Sequence, residues 1–426
     1  MRREEFLLYA MAITAFAGNG HDGPNDEDGA WFPSPRVPIR MIWFADGWVI
    51  ACASLGQAEL LGARVLKVGG LSPTVIVAQL RRCVGGTGAL KSELRLRDGR
   101  RVNRAIAFAP GNSIPPAAAP VQVWMPLPGE AEKGWRAAIT ESAPLYLEDG
   151  TKEHRVKALP EFCAEYVEFR SRLDSQQETI AAFTNSVEKV IAATPLRNLI
   201  VDLRFDKGGK SDLTREGVKD VVTRVPDTIS LSIGPYTFSA AIVTTDAFKH
   251  DGAGRVRIIG GGGGERLCWS AEGRNKCLPF LHCCPHITTG TWDLDRGCGG
   301  EVGCYGDRYA VTVGTLSPDI PAPLTATAWL AERDPALEAV RAELPRHCAE
   351  PRSAADRSRF PHRPLTAGAR RRAQVYGART VPSHGSHGSS RASRESLRNP
   401  SRAPGALQRA RRSILERVFA AIAARH

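Results

Sequence analysis

The chain has little that would place it in a membrane: its apolar run from Phe6 to Ala17 is too short to span a bilayer. It has ten cysteines but no C-x-x-C pair among them, so the usual spacing of a structural zinc site is missing. A phosphate loop is also missing, because the early glycine that Gly209-Lys210-Ser211 would need falls at Arg204. The glycine run 260–264 follows a strand-like stretch, yet it has no acidic residue about twenty positions on for a ribose. These absences exclude nucleotide sites and leave no cofactor implied. Lysine is absent from Arg346 to His426, where 18 arginines and 4 acids leave a net charge of +14. With +12 on the whole chain, residues 1–345 are nearly neutral, and the overall basicity does not describe a basic folded surface.

What is present is a chain of 426 residues, long enough for two or three domains and a substantial core. Residues 1–33 hold the apolar run, which has signal-peptide length and ends in Ala15-Phe16-Ala17, but Glu4 and Glu5 cancel Arg2 and Arg3. A buried helix stopped by Gly18 and Gly20 is the preferred reading of the same residues. Residues 34–109 contain short strands around Trp48-Val49-Ile50-Ala51 and Leu60 to Gly70, a helix from Pro73 to Arg82 and a strand from Glu93 to Arg97. Residues 110–142 open on a Pro- and Ala-rich linker.

From 143 to 345 strands and helices alternate, the texture of α/β organisation around a mainly parallel sheet. Ser175 with Glu178 reads as a capping box, opening a helix with Ile180, Phe183, Val187, Val190 and Ile191 on one face. Leu199 to Leu203 is a buried-type strand interrupted only by Asp202. Cysteines cluster between Cys268 and Cys304, where a disulfide such as Cys298 with Cys304 fits an exported protein. Residues 346–426 are low in complexity and read as a disordered Arg-rich tail.

One junction carries chemistry. Ile229 to Ile233 alternates like a strand, Gly234-Pro235 makes a turn, and Ala240 to Phe248 reads as a small-residue helix. Ser239 stands at the start of that helix, beside unpaired backbone N–H groups that favour negative charge. It is either a helix cap or a nucleophile. Asp202 to Gly209 ends in a glycine pair that lets backbone N–H groups approach a ligand, as an oxyanion site requires.

The Asp-Leu-Arg strand with its glycine pair, then Phe238-Ser239-Ala240-Ala241-Ile242, then the strand before Gly260 and Ser317-Pro318-Asp319-Ile320 together resemble the tail-specific, or C-terminal-processing, serine proteases. The resemblance spans roughly residues 4–345. It implies a crotonase/ClpP-like α/β core and a PDZ-like module over 34–109 that docks a peptide or protein substrate as an added strand. It also implies peptide-bond hydrolysis through an acyl-enzyme on Ser239, with the N–H groups of Gly208 or Gly209 and of Ala240 binding the oxyanion. Extracytoplasmic location follows from the family, with a cytoplasmic one left open.

The lysine base of the best-known branch is missing, and this chain offers Gly264 and Glu265 in its place. Lys249 cannot substitute, since ten residues of helix put it about 15 Å from the serine. A tricorn-like branch takes its base from a histidine near the start of the unit, and Gly18-Asn19-Gly20-His21 matches that context. The expected pair is Ser239 with His21, a histidine being a suitable base for a hydroxyl. The orienting acid of that branch meets Thr312, so no acid is assigned. Two other classes stay in view: a peptide-binding protein that keeps the fold without turnover, and nucleic-acid binding by the tail.

Overall fold

The computed structural model describes residues 18–25, 39–68, 71–80, 135–138, 144–148, 152–175, 178–193, 197–277, 284–305 and 313–344, with short pieces at 12–16 and 101–123. All of these belong to one compact unit within Met1–Cys348. The Arg-rich tail, the strand expected at Glu93 to Arg97 and Thr312 lie outside the described residues.

Near the N-terminus lie β1 (Gly23–Asn25), β2 (Ile39–Phe44), β3 (Gly47–Ser54), β4 (Val65–Val68), α1 (Pro73–Leu80) and β5 (Trp135–Ala137). β2 and β3 form an antiparallel hairpin, and β5 adds to the outer edge of β3. The stretch 110–142 is therefore more than the linker expected from its composition. Gln122–Val123 pairs parallel with β2, and Trp135–Ala137 pairs with β3. Pro-rich chain is already extended, and edge positions tolerate residues that cannot donate to a ladder.

The central sheet is mixed and α/β. It comprises β6 (His154–Leu159), β7 (Ala164–Phe169), β8 (Asn198–Asp202), β9 (Ile229–Ile233), β10 (Val256–Gly260) and a short β15 (Ile320–Pro321), hydrogen-bonded in that order. Within this sheet only β6 runs antiparallel; β7, β8, β9, β10 and β15 pair in parallel. Parallel neighbours need long crossovers, and helices α2 (Ile180–Ala193), α3 (Asp212–Arg224) and α4 (Ala240–Gly252) supply them. Every residue of β7, β8 and β9 is buried, including Glu165 and Glu168 of β7 and Ser230 and Ser232 of β9; only β8 reads as a near-continuous apolar run. Ile180, Phe183, Val187 and Ile191 of α2 pack on one sheet face with Leu199, Val201, Leu231 and Phe248. The other face carries Tyr166, Ile200 and Ile259 against Ala336 and Val340 of a C-terminal helix.

The helix expected after Ser175 starts later than its capping box suggests. Ser175 Oγ and the backbone of Glu178 bond one another, but Thr179 Oγ1 accepts from Ala182 N, and Asp174 Oδ1 accepts from Ile180 N. Thr179 caps α2, because its side chain lies one residue before the first helical turn.

Beyond β10, two small sheets are built from β11 (Cys268–Ala271), β12 (Arg274–Asn275), β13 (Cys284–Ile287) and β14 (Gly290–Asp293). β11 pairs with β14, while β13 lies between β12 and the N-terminal β1. Disulfides Cys277–Cys284 and Cys298–Cys304 close this region, the second of them as expected.

A buried charge cluster ties the central sheet to the C-terminal helix. Arg204 Nε donates to Asp202 Oδ1 at 3.0 Å, and its Nη1 and Nη2 reach the Asp334 carboxylate at 2.7 and 2.9 Å. Tyr166 also donates to Asp202 at 2.7 Å. Burial alone would raise the Asp202 pKa, but the Arg204 charge and hydrogen bonds hold it below the usual carboxylate range. Replacing one member of such a cluster leaves buried charge unpaired. Arg204→Met is expected to cost about 3–5 kcal/mol in urea unfolding; a loss within the noise of a surface substitution would show that the cluster does not hold these elements together.

Candidate active site

The loops that leave the carboxyl ends of β8, β9 and β10 converge, the place where open parallel sheets build their sites. The β8 loop is organised by Asp206, which is fully buried. Its Oδ2 accepts from Arg172 Nε at 2.6 Å, its Oδ1 from Gly208 N at 2.9 Å, and its backbone oxygen from Phe238 N at 3.0 Å. Arg172 N donates to Gly208 O and Lys210 N to Arg172 O, a parallel bridge opposite Gly209. That pairing uses the groups on either side of Gly209 and leaves its own N–H out of the ladder.

The β9 loop is a tight turn. Gly234 N donates to Thr237 Oγ1 at 2.9 Å, and Thr237 Oγ1 donates to Leu203 O at 2.7 Å. Ser239 follows at φ 56° and ψ −119°, a left-handed conformation that costs a residue with a Cβ about 1–3 kcal/mol. It occupies the cap position of α4, yet its side chain makes no capping hydrogen bond. A cap role would predict that bond and a relaxed, extended backbone. The structure shows instead a strained strand-to-helix turn whose serine side chain does not cap the helix. Ala240 opens the helix, so its N–H has no intrahelical acceptor.

Gly208 fits against this turn so closely that a Cβ on it would lie 2.7 Å from both Phe238 O and Ser239 Cβ. With φ at +88°, it has two reasons to be glycine. Of the two glycines, Gly208 donates its N–H to Asp206 Oδ1 and packs against Ser239 and Ala240, while Gly209 lies against Arg172.

His21 reaches the site from the N-terminus. Its ring stacks on Phe238, the residue before Ser239, at 4.4 Å between centroids. The third loop supplies what the sequence left unassigned: Glu265, after β10, lies with Oε2 3.6 Å from His21 Nδ1. The Glu265 side chain is 1% exposed, and Oε1 accepts from the Arg266 backbone N at 3.1 Å. Both His21 ring nitrogens are buried without a hydrogen-bond partner, as is Glu265 Oε2. The loop is anchored to the serine turn by Gly264 N donating to Thr237 O at 2.9 Å. Glu265 was visible in the sequence only as a residue standing where a lysine base is absent. Its value as a partner for a cation appears once His21 is beside it.

Other nucleophile and base combinations are poorer. Burial and the Asp293 charge push the Cys268 thiol up to about 11, so it stays protonated at neutral pH. His250 pairs with Asp251, and His286 with Asn275 and the Glu272 backbone. Among the described residues no cluster of His, Cys, Asp or Glu could hold a metal ion, and no helix is long and apolar enough to cross a membrane.

The chain is an α/β protein with a central mixed sheet, in which Ser239 follows the Phe238 that His21 stacks on and Glu265 lies beside His21. No family model matches the chain, and no curated protein matches it. Solved structures do. Mature CPAF complexed with lactacystin is 11% identical at a TM-score of 0.45, over 78% of this chain and 87% of that one. The photosystem II D1 C-terminal processing protease is 13% identical at 0.28, over 75% and 82%. A candidate peptidase from Parabacteroides merdae ATCC 43184 is 16% identical at 0.29, and the match covers 45% of this chain and only 64% of that one. All three are too distant to assign an activity to the chain.

The steric fit at Gly208 is open to test. Gly208→Ala places a methyl against the Phe238 carbonyl and the Ser239 side chain in a left-handed conformation. It is expected to lower stability by about 1–3 kcal/mol in thermal or urea unfolding. An unchanged midpoint would mean that the two loops are not in contact.

Proposed function

We propose that the chain is a serine-type peptidase, acting through an acyl-enzyme on Ser239, with His21 as base and Glu265 as the acid that orients it. The observation that carries this reading is the uncapped, strained Ser239 directly after Phe238, on which His21 stacks beside a buried carboxylate. His21 takes the Ser239 proton as Oγ attacks the peptide carbonyl carbon, and the imidazolium that forms is stabilised by Glu265. The tetrahedral oxyanion is held by the N–H groups of Gly209 and Ala240, with Gly208 acting by its close fit rather than as a donor. His21 then returns the proton to the departing amine, and water repeats the sequence on the ester to release the acid and restore Ser239.

The choice of peptides as substrate rests on the order of motifs along the chain, as does the tail-specific preference. For residues 34–109 as a PDZ-like docking module, the support is a hairpin, a strand and a helix in the order β2, β3, β4, α1. The disulfides Cys277–Cys284 and Cys298–Cys304 support an oxidising, extracytoplasmic setting. A second reading, peptide binding without turnover, draws on the 3.6 Å His21–Glu265 separation, slightly long for a hydrogen bond. Catalytic contacts commonly tighten only with substrate bound.

Labelling by a fluorophosphonate and hydrolysis of a fluorogenic peptide library separate the two. Ser239→Ala is expected to abolish both, His21→Ala to reduce them by about 10³-fold or more, and Glu265→Gln by about 10²–10⁴-fold. Labelling that survives in Ser239→Ala overturns the nucleophile. Peptide affinity without any turnover in the unaltered protein supports the binding reading instead.

A further inference from the structure

His21 is the one member of the proposed triad that no strand of the central sheet carries. It belongs to an N-terminal loop, and its ring makes no hydrogen bond within that loop. The position of the imidazole therefore depends on what holds the backbone at residues 19–22, and the structure gives a specific answer. Asn19, which is buried, donates from Nδ2 to Asp22 Oδ2 at 2.9 Å and to Thr288 Oγ1 at 3.4 Å. Its Oδ1 accepts from Ser270 N at 3.2 Å. Asp22 Oδ1 accepts twice from Thr288, from the backbone N at 3.0 Å and from Oγ1 at 2.9 Å.

The two residues flanking the Gly20-His21 pair thus grip a single threonine 266 residues away. Thr288 is buried and directly follows β13. β13 in turn pairs with β1, which begins right after Asp22: Gly23 faces His286, and Asn25 faces Cys284 of the Cys277–Cys284 disulfide. The Asp22 carboxylate accepts from Thr288 at Oδ1 and from Asn19 at Oδ2, so both of its oxygens are engaged. Three buried or half-buried polar residues joined by four hydrogen bonds make a costly arrangement to leave half-satisfied.

We propose that Asn19, Asp22 and Thr288 form a positioning clamp for the catalytic base, with Asp22 and Thr288 as positioning residues that set the His21 imidazole against Ser239 and Glu265. This rests on the Ser239–His21 reading above. The clamp acts through geometry: it takes no proton and touches no substrate. A loop released at Asp22 or Thr288 keeps the site's residues but lets the ring wander, and a misplacement of about 1 Å costs on the order of 10²-fold in rate.

The test uses the full chain and the second-order rate of fluorophosphonate labelling at Ser239 across a pH series, with unfolding midpoints measured in parallel. Asp22→Asn presents an amide donor to the Asn19 amide, and Thr288→Val removes the hydroxyl while keeping the shape. Each is expected to label about 10–100-fold more slowly. Thr288→Ser, which retains the hydroxyl, is expected to restore labelling to near the unaltered rate. A simple loss of packing would not be rescued selectively by the hydroxyl. If Thr288→Val does not fold, Asp22→Asn and Thr288→Ser carry the comparison. Labelling at the unaltered rate in Asp22→Asn and Thr288→Val, with His21→Ala inactive, overturns the clamp and leaves the triad standing. Undiminished labelling in His21→Ala overturns the triad itself.

Discussion

The site depends first on the buried carboxylate of Asp206. One side chain binds Arg172 after β7, Gly208 in the β8 loop and, through its own backbone, Phe238 in the β9 loop. A buried carboxylate without partners is among the costliest groups a fold can hold, so each of these bonds is strongly enforced. The consequence is geometric. With Asp206 satisfied, the glycine loop and the serine turn are locked face to face, and only a glycine fits at 208. The strain at Ser239 persists because this framework over-determines its backbone.

That same arrangement divides two neighbouring glycines by role. Gly208 spends its N–H on Asp206 and contributes through its missing Cβ. Gly209, set opposite Arg172 in a bridge that uses its neighbours' groups, keeps its N–H out of the ladder. Under the proposed function, this N–H and that of Ala240 at the start of α4 are the donors for developing negative charge.

The histidine and the carboxylate show how a change of base changes its neighbour's task. A carboxylate after β10 is of no use as a replacement for an amine base. Beside the His21 imidazole it is buried to 1% exposure and its loop is anchored through Gly264 to the serine turn, which suits the orienting role proposed for it. His21 comes from an N-terminal loop and needs to be held from outside the central sheet. The small sheet of β12, β13 and β1, a disulfide and the Asn19–Asp22–Thr288 bonds meet that need.

Local signals carried much of this protein in its sequence alone. The buried strand β8 announces itself as an apolar run, β9 by its alternation, α2 by its period, and the Ser239 junction by Gly-Pro between a strand and a small-residue helix, because neighbouring residues decide each of these. The glycine pair and the Gly-x-Gly-His loop were legible for the same reason, whereas the cap of α2 moved by a few residues because several polar side chains compete for the same free N–H groups. Only the tertiary structure decided that Glu265 faces His21, that Gly208 and Gly209 differ, that the supposed linker adds strands to the β2–β3 hairpin, and that Thr288 holds the His21 loop. Each of these joins residues distant along the chain, and such pairings follow from how whole layers pack, which no local pattern records.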